Sequence, residues 1–239
     1  MSDWLTARPI AHRGLHDTAR GVIENTASAF RAAIAGNYAI ECDLQASADG
    51  EAMVHHDDAL GRLTEGAGRL DAMPAAELRR VPFKATQDRM LTLGELLDLV
   101  AGRVTLVLEL KSRNDGDQRL PVQTAKVLAS YRGPVAAMSF DPGPIAALRD
   151  LVPSLRRGLI AQRPDTNDRM GSPVDYAMHL ASARPQFLAY RLQDLASALP
   201  RFARTVLGLP LLTWTVRTPA DCAMAEHYAD QMIFEGFRP

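Results

Sequence analysis

The chain has 239 residues, of which 47% are hydrophobic and 23% charged, and its formal net charge is −1. That balance suits a globular protein with a large core and excludes a disordered or fibrous chain. Charges of both signs are mixed along the sequence, with no dense basic run to mark a nucleic-acid partner or a membrane surface, and no apolar run approaches the length of a membrane span.

Residues 9–14 read as a first short strand ending in a glycine turn. A helix is expected over 24–35, with Asn25 or Thr26 as N-cap, an apolar stripe of Phe30, Ala33 and Ile34, and a stop at Gly36 and Asn37. Residues 39–45 read as a buried strand in which Ile40, Cys42 and Leu44 alternate with Glu41, Asp43 and Gln45. Asp49 and Gly50 are a hairpin signal, so 51–56 should return antiparallel or extend the same sheet. Residues 57–90 are turn-rich and read as a loop excursion with one short helix at 74–80.

From there the rhythm is regular. Thr92 and Glu95 form a capping-box pattern that opens a helix to about Ala101. Strands at 104–111, 135–140, 157–161, 187–192, 211–216 and 231–234 then alternate with helices at 122–131, 144–151, 174–183, 195–206 and 219–228. The total is eight strands with helices between them, apolar on both faces as covered strands should be. This predicts an α/β chain folded as one (β/α)8 TIM barrel over 1–239, with 57–90 as a short insertion after the second strand. An open doubly wound sheet is the alternative, but no glycine-rich phosphate loop follows the first strand. Residues 1–10 carry Asp3 and Arg8 and no apolar core, so no signal peptide is expected and the expected compartment is the cytoplasm. Cys42 and Cys222 match no metal spacing, and Cys42 reads as a core residue. The oligomeric state is left open.

The chemistry begins with Glu41 and Asp43, which share one face of their strand. Neighbouring carboxylates repel and are costly to bury unless a metal ion, a basic side chain or a cationic substrate lies between them. A solvent-facing acidic edge strand is the plain alternative. A second apolar strand ends in Glu109 and Lys111, again on one face. In a barrel the active site lies at the C-terminal ends of the strands. That rim would collect His12 and Arg13, Glu41 and Asp43, Glu109 and Lys111, His55 and His56, and from the late strands Phe140, Tyr190, Arg191 and Trp214. An all-oxygen carboxylate set suits a hard divalent ion, Mg²⁺ or Ca²⁺. Arg13 and Lys111 suit a phosphate, and two imidazoles beside it suit a general base and a general acid. Together these groups describe phosphodiester cleavage. Against it stand a mere buried ion pair of Glu109 and Lys111 with Glu41 or Asp43, Asp57 and Asp58 as loop solvation, and Trp214 as core filler.

The set His12-Arg13-Gly14, Glu24-Asn25-Thr26, Glu41 with Asp43, His56-Asp57 followed by 60–64 and Gly68, Glu109 with Lys111, and Trp214-Thr215-Val216 resembles the glycerophosphodiester phosphodiesterases. The resemblance runs through nearly the whole chain and is densest over 10–111. It implies a TIM barrel with a small insertion after the second strand. It implies that Glu41, Asp43 and Glu109 hold a divalent metal, that His12 and His56 are the acid/base pair, and that Arg13 and Lys111 contact the phosphate. Trp214 would line the substrate pocket, and Glu24 would support the metal or His12. The implied reaction converts a small-molecule glycerophosphodiester, such as glycerophosphocholine or glycerophosphoethanolamine, into glycerol 3-phosphate and an alcohol. Two departures bear on the alcohol side: Arg217 replaces the family's Asn, and residues 231–239 replace the family's Gly-rich strand closing in Thr-Asp-x-Pro, with Glu235 near the usual Asp. Two other readings are a lysophospholipid cleaved through a cyclic phosphate, with Leu60, Leu63 and Leu70 as an apolar lip, and a non-catalytic metal- or phosphate-binding barrel.

Overall fold

A computed structural model describes residues 3–163 and 173–239. Its strands are β1 (Ile10–Ala11), β2 (Ala39–Ala46), β3 (Ala52–Val54), β4 (Leu106–Leu110), β5 (Val135–Ser139), β6 (Arg156–Ala161), β7 (Phe187–Arg191), β8 (Leu211–Val216) and β9 (Gln231–Phe234). Its helices are α1 (Ala27–Ala35), α2 (Ala75–Leu78), α3 (Leu93–Val100), α4 (Arg119–Leu128), α5 (Pro142–Leu151), α6 (Pro173–Ala183), α7 (Ala198–Thr205) and α8 (Pro219–Tyr228). The sheet order is β1-β9-β8-β7-β6-β5-β4-β2-β3, and β1 also pairs with β2. Eight strands therefore close in parallel into a (β/α)8 barrel, and β3 is an antiparallel appendage on β2. The antiparallel option for 51–56 is the one adopted.

Period-two alternation sorts the side chains into two layers. Ile40, Cys42, Leu44, Leu106, Leu108 and Leu110 point outward and pack under the helices. Ile10, Val107, Met138, Ile160, Phe187, Leu212 and Ile233 fill the barrel interior. Leu5 packs with this interior set from below. It is held there by Asp3 on Arg156, the Trp4 carbonyl on Thr105 and the Thr6 carbonyl on Gln231. The lower half of the barrel is thus an apolar plug, tied by polar contacts at its base and carrying the polar rim above it.

Local chemistry explains most element ends. Thr92 and Glu95 satisfy each other's backbone N–H groups at the start of α3, as expected. Thr218 and Asp221 do the same for α8. Asp141 caps α5 by accepting from the Gly143 N–H at 2.8 Å, so that helix starts two residues before the expected position. Helix α4 starts three residues early because Asp117 accepts from the Arg119 N–H at 2.9 Å. Helix α7 starts three residues late, because Leu192–Asp194 form a 3₁₀ turn that buries Leu195 first.

The segment 57–90 is mostly loop, as expected, with a 3₁₀ turn at Leu70–Ala72 and α2. It carries a small apolar core of its own: Leu60, Leu70, Leu78, Phe83 and Met90 pack with Ile23 and Met53. The proposed apolar lip is therefore corrected. Leu60 and Leu70 are buried in this cluster and Leu63 packs against it, because burying them with Leu78, Phe83 and Met90 gives the excursion its core. Among the described residues no helix is long and apolar enough to cross a membrane.

Gly158 of β6 shows how tightly the plug is filled. A Cβ there would lie 2.4 Å from the ring of Phe187 on the neighbouring strand. Gly158→Ala is expected to destabilise the protein by about 1–3 kcal/mol through overpacking. Adding Phe187→Leu, which removes the offending ring carbons, should recover part of that loss. Urea unfolding of the two single variants and the double variant measures the coupling; strict additivity would refute the packing account.

Candidate active site

The polar groups on the barrel rim follow from strand parity. On β2, Ala39 faces the interior, so Glu41 and Asp43 face the same axis two and four residues further on. On β4, Val107 faces inward and Glu109 follows on that face. The register pairs Asp43 with Glu109 across the two strands. All three carboxylates are buried, and one oxygen of each lies within 4.8 Å of the others. The solvent-facing edge strand is excluded.

Burying this much like charge is costly, and the chain compensates only in part. The Lys111 ammonium lies 2.8 Å from Asp43 Oδ1 and also pairs with Glu109. Arg13 Nε lies 3.3 Å from Asp43 Oδ2, while its Nη1 donates to Glu24 at 2.7 Å. Burial, with Asp43 and Glu109 as like charges, pushes Glu41 well above the ordinary carboxylate range. Burial also pushes Glu109 up. Burial opposes ionisation of Asp43 too, but Lys111 and Arg13 outweigh it and hold that carboxyl below its usual value. Burial acts against the charge on Lys111, yet Asp43 and Glu109 raise it to about 12. Two cations thus serve three carboxylates, one of those cations is shared with Glu24, and Glu41 Oε1 has no hydrogen-bond partner. An orphaned buried carboxylate oxygen inside an all-oxygen cluster fits a hard divalent cation. The pair-only reading of Glu109 and Lys111 leaves Glu41 unaccounted for.

The backbone around this cluster is shaped to serve it. Arg13 has φ 56° and donates its N–H to Glu41 Oε2 at 3.0 Å. Gly14, at φ 79°, lets the turn lie against α1, where a Cβ would come within 2.9 Å of the Ala29 backbone. Asn25 was expected as a possible N-cap. It instead takes φ 56°, donates to Asp43 Oδ2 at 2.8 Å and accepts from the Asp43 N–H at 3.3 Å. Thr26 holds the N-cap position, with its hydroxyl donating to the Ile23 carbonyl. Glu24 is not among the clustered carboxylates; it reaches the site through Arg13, and Arg62 pairs with the same oxygen, Oε1, at 2.7 Å.

A cavity of about 310 Å³ opens above the cluster. Its lining includes His12, Arg13, Glu41, His56, Glu109 and Lys111, and on the opposite side Phe140, Arg191, Gln193, Trp214, Thr215 and Arg217. The predicted histidine, carboxylate and phosphate-binding groups thus share one cavity, apart from Asp43, which is buried beneath it. Trp214 belongs to the lining, stacked edge-on against Phe140 with ring centroids 5.5 Å apart, and its Nε1–H donates to the Ala189 carbonyl. Tyr190 is corrected: it points outward and is buried under the helices, one residue out of phase with the cavity. Arg191, next to it, lines the cavity and pairs with Asp194.

His55 and His56, just past the end of β3, go to different places. His55 is buried against Phe83 in the insertion, and His56 lines the cavity. His56 Nδ1 lies 2.8 Å from Asp57 Oδ1, and Arg62 donates to Asp57 Oδ2 at 2.6 Å. Burial raises Asp57, but Arg62 and His56 overcome it and lower it to about 2. Asp57 therefore orients an imidazole, which the loop-solvation reading missed; Asp58 pairs with Arg69 on the surface, as that reading expects.

His12 has a matching partner that sequence reasoning left without a role. Its Nδ1 lies 2.5 Å from Glu235 Oε2, while its Nε2 is 3.9 Å from Glu41 Oε2. Burial lowers the pKa of His12, and the Glu235 contact opposes this without overcoming it. Burial raises Glu235, but its contacts with His12 and His16 and the charge of Arg217 hold it far below the usual carboxylate range. The available signal was positional: Glu235 stands two residues after the inward-facing Ile233.

The sequence matches the glycerophosphoryl diester phosphodiesterase family over residues 12–236. A curated relative, the glycerophosphodiester phosphodiesterase of Caldanaerobacter subterraneus subsp. tengcongensis, is 29% identical over 163 residues, spanning 64% of this chain and 66% of the relative, just under two thirds of its length. A crystal structure from Silicibacter pomeroyi, assigned as a glycerophosphoryl diester phosphodiesterase, is 29% identical with a TM-score of 0.79, covering 95% of this chain and 89% of that one. An Oleispira antarctica phosphodiesterase solved in complex with the product sn-glycerol-3-phosphate shares the fold, with a TM-score of 0.80 at 22% identity over 95% of this chain and 91% of that one. The family match takes in every barrel strand from β2 to β9 and all the rim residues described above, and the chain belongs to the glycerophosphoryl diester phosphodiesterase family, a family of phosphoric diester hydrolases.

Proposed function

We propose that this chain acts over its whole length as one phosphodiesterase unit, with 57–90 as a small insertion. It hydrolyses glycerophosphodiesters such as glycerophosphocholine or glycerophosphoethanolamine to glycerol 3-phosphate and an alcohol. The observation that carries the reading is the convergence of Glu41, Asp43 and Glu109 beneath a cavity that also receives two imidazoles, each anchored through Nδ1. The Oleispira antarctica phosphodiesterase of the same fold, solved with sn-glycerol-3-phosphate, supports the product class.

Glu41, Asp43 and Glu109 would hold Mg²⁺ or Ca²⁺, and Glu41 Oε1 is an oxygen still in need of a cation. The chemistry such an ion would supply there is positive charge beside the phosphate. Arg13 and Lys111 present cationic donors on the same floor and bind the phosphate. His12 and His56 divide the proton transfers: one accepts the proton of the attacking oxygen, and the other donates to the departing alkoxide. The Nδ1 contacts to carboxylates leave each Nε2 for this work. Trp214 and Phe140 form an apolar wall for the organic part of the substrate.

The lysophospholipid reading loses its support, since Leu60, Leu63 and Leu70 belong to the core of the insertion and not to the cavity. A purely binding barrel has no use for two anchored imidazoles.

His12→Ala and His56→Ala are each expected to lower turnover of glycerophosphocholine by roughly 100-fold or more. Near-wild-type rates for both in metal-replete buffer would end the acid/base assignment. EDTA should abolish release of glycerol 3-phosphate, and add-back of Mg²⁺ and Ca²⁺ in parallel should restore it with the preferred ion. In thermal unfolding, that ion at a hundredfold excess over its Kd should stabilise the wild type by about 2.7 kcal/mol. Asp43→Asn should abolish the shift; an undiminished shift would place the ion elsewhere.

A further inference from the structure

We infer that Glu235 is a positioning residue for His12, holding its ring in the Nδ1–H tautomer so that Nε2 faces the cavity, and that Arg217 in turn holds Glu235. The inference rests on the reading that His12 handles a proton in the reaction.

Topology brings the two side chains together. Ile10 and Ile233 both face the barrel interior and are register partners of β1 and β9, so His12 and Glu235, each two residues on, emerge side by side on the same face. The His12 N–H donates to the Phe234 carbonyl at 2.9 Å, which ties the two strand ends at that level. The Glu235 N–H donates to the Val216 carbonyl at 3.0 Å, so its backbone is fixed from the other side by β8.

An ionised carboxylate can only accept hydrogen bonds. A 2.5 Å contact from His12 Nδ1 to Glu235 Oε2 therefore puts the proton of the neutral ring on Nδ1 and the lone pair on Nε2. The other carboxylate near this ring is Glu41, 3.9 Å from Nε2 and outside hydrogen-bond reach. Without Glu235 the ring could turn an N–H toward Glu41, which would remove the lone pair from the cavity. Arg217 Nε and Nη2 lie 2.6 Å from Glu235 Oε1, the oxygen that His12 does not use. Arg217 is largely exposed, and such a pair adds little stability. Its effect is to hold the carboxylate in place, and its own backbone is pinned by the Arg217 N–H donating to Asp221 at 3.0 Å. His16 Nε2 stands 3.7 Å from Glu235 Oε2, too far to replace His12 as its donor. The structure brings Arg217 and Glu235 together as one ion pair.

The test uses the full chain with its metal and glycerophosphocholine. Glu235→Leu removes the acceptor at similar size and is expected to lower kcat about 100-fold with KM within about threefold of wild type. Glu235→Gln keeps an acceptor oxygen and should fall between the two. Arg217→Met should lower kcat about fivefold, the value of an exposed ion pair near 1 kcal/mol. Nitrogen-15 histidine NMR in mildly alkaline buffer reads the positioning without reference to turnover. The wild-type ring should show a protonated Nδ1 and a bare Nε2, and Glu235→Leu should lose that pattern while its melting temperature and metal binding stay near wild type. A Glu235→Leu enzyme with wild-type kcat, or an unchanged His12 tautomer, would overturn the inference. If His12→Ala alone kept full activity, the acid/base reading would fail, while the tautomer measurement would still decide what Glu235 does to the ring.

Discussion

A surplus of buried negative charge at the ends of β2 and β4 is the constraint around which this molecule is built. Glu41, Asp43 and Glu109 are forced together by strand parity and register, and Lys111 with Arg13 neutralises only part of them. Such a cluster is not a device for stability, since well-packed apolar residues would fill the same space at less cost. It is tolerated because the barrel beneath is a dense apolar plug, closed at its base by Leu5 and filled by Phe187, Ile160 and Leu212. The unusual backbone of Arg13 and Asn25, both at φ 56°, lies where it delivers donors to these acids. Strained backbone at a functional centre is the pattern expected when geometry there matters more than local comfort.

From the cluster, ion pairs radiate outward in two directions. One runs from Arg13 through Glu24, Arg62 and Asp57 to His56, so the short insertion is tied to the floor of the cavity by charge as well as by its own apolar cluster. The other links Arg217, Glu235 and His12 across the ends of β8, β9 and β1. Both imidazoles are therefore gripped by carboxylates, and each carboxylate is gripped by an arginine. One arm draws on residues 13–62 and the other joins His12 to residues 217–235, and the seam where β1 meets β9 brings them to one cavity. The remaining wall, Phe140 against Trp214, is apolar, which leaves the polar chemistry on one side and a surface for organic bulk on the other.

The alternation of apolar runs with helical segments was enough to read eight barrel strands, because each strand is buried on both faces and each helix buries one. The acidic pair was legible because parity along a strand is a property of the chain itself, whereas His56 was chosen over His55 on the family resemblance of the His56-Asp57 step. Errors arose where a side chain's role depends on what approaches from elsewhere. The first N-cap was read as Asn25 or Thr26; Thr26 holds it, while Asn25 gives its amide to Asp43 on β2. Leu60, Leu63 and Leu70 were read as a lip on hydrophobicity alone, and the insertion used them to fold. Tyr190 was placed on the rim because it ends a strand, but its parity turns it under the helices.

By itself, the sequence determined which residues could do chemistry and which strand face each would occupy, since residue type and period-two geometry are local. It also determined that the chain could close a barrel, since the number and spacing of its buried runs are written into it. Only the tertiary structure decided which groups meet. Closure of β1 onto β9 set His12 beside Glu235, and the loop from β8 carried Arg217 to the same carboxylate. Contacts of that kind depend on barrel register and on the competition of several charges for one partner, and no run of neighbouring residues encodes either.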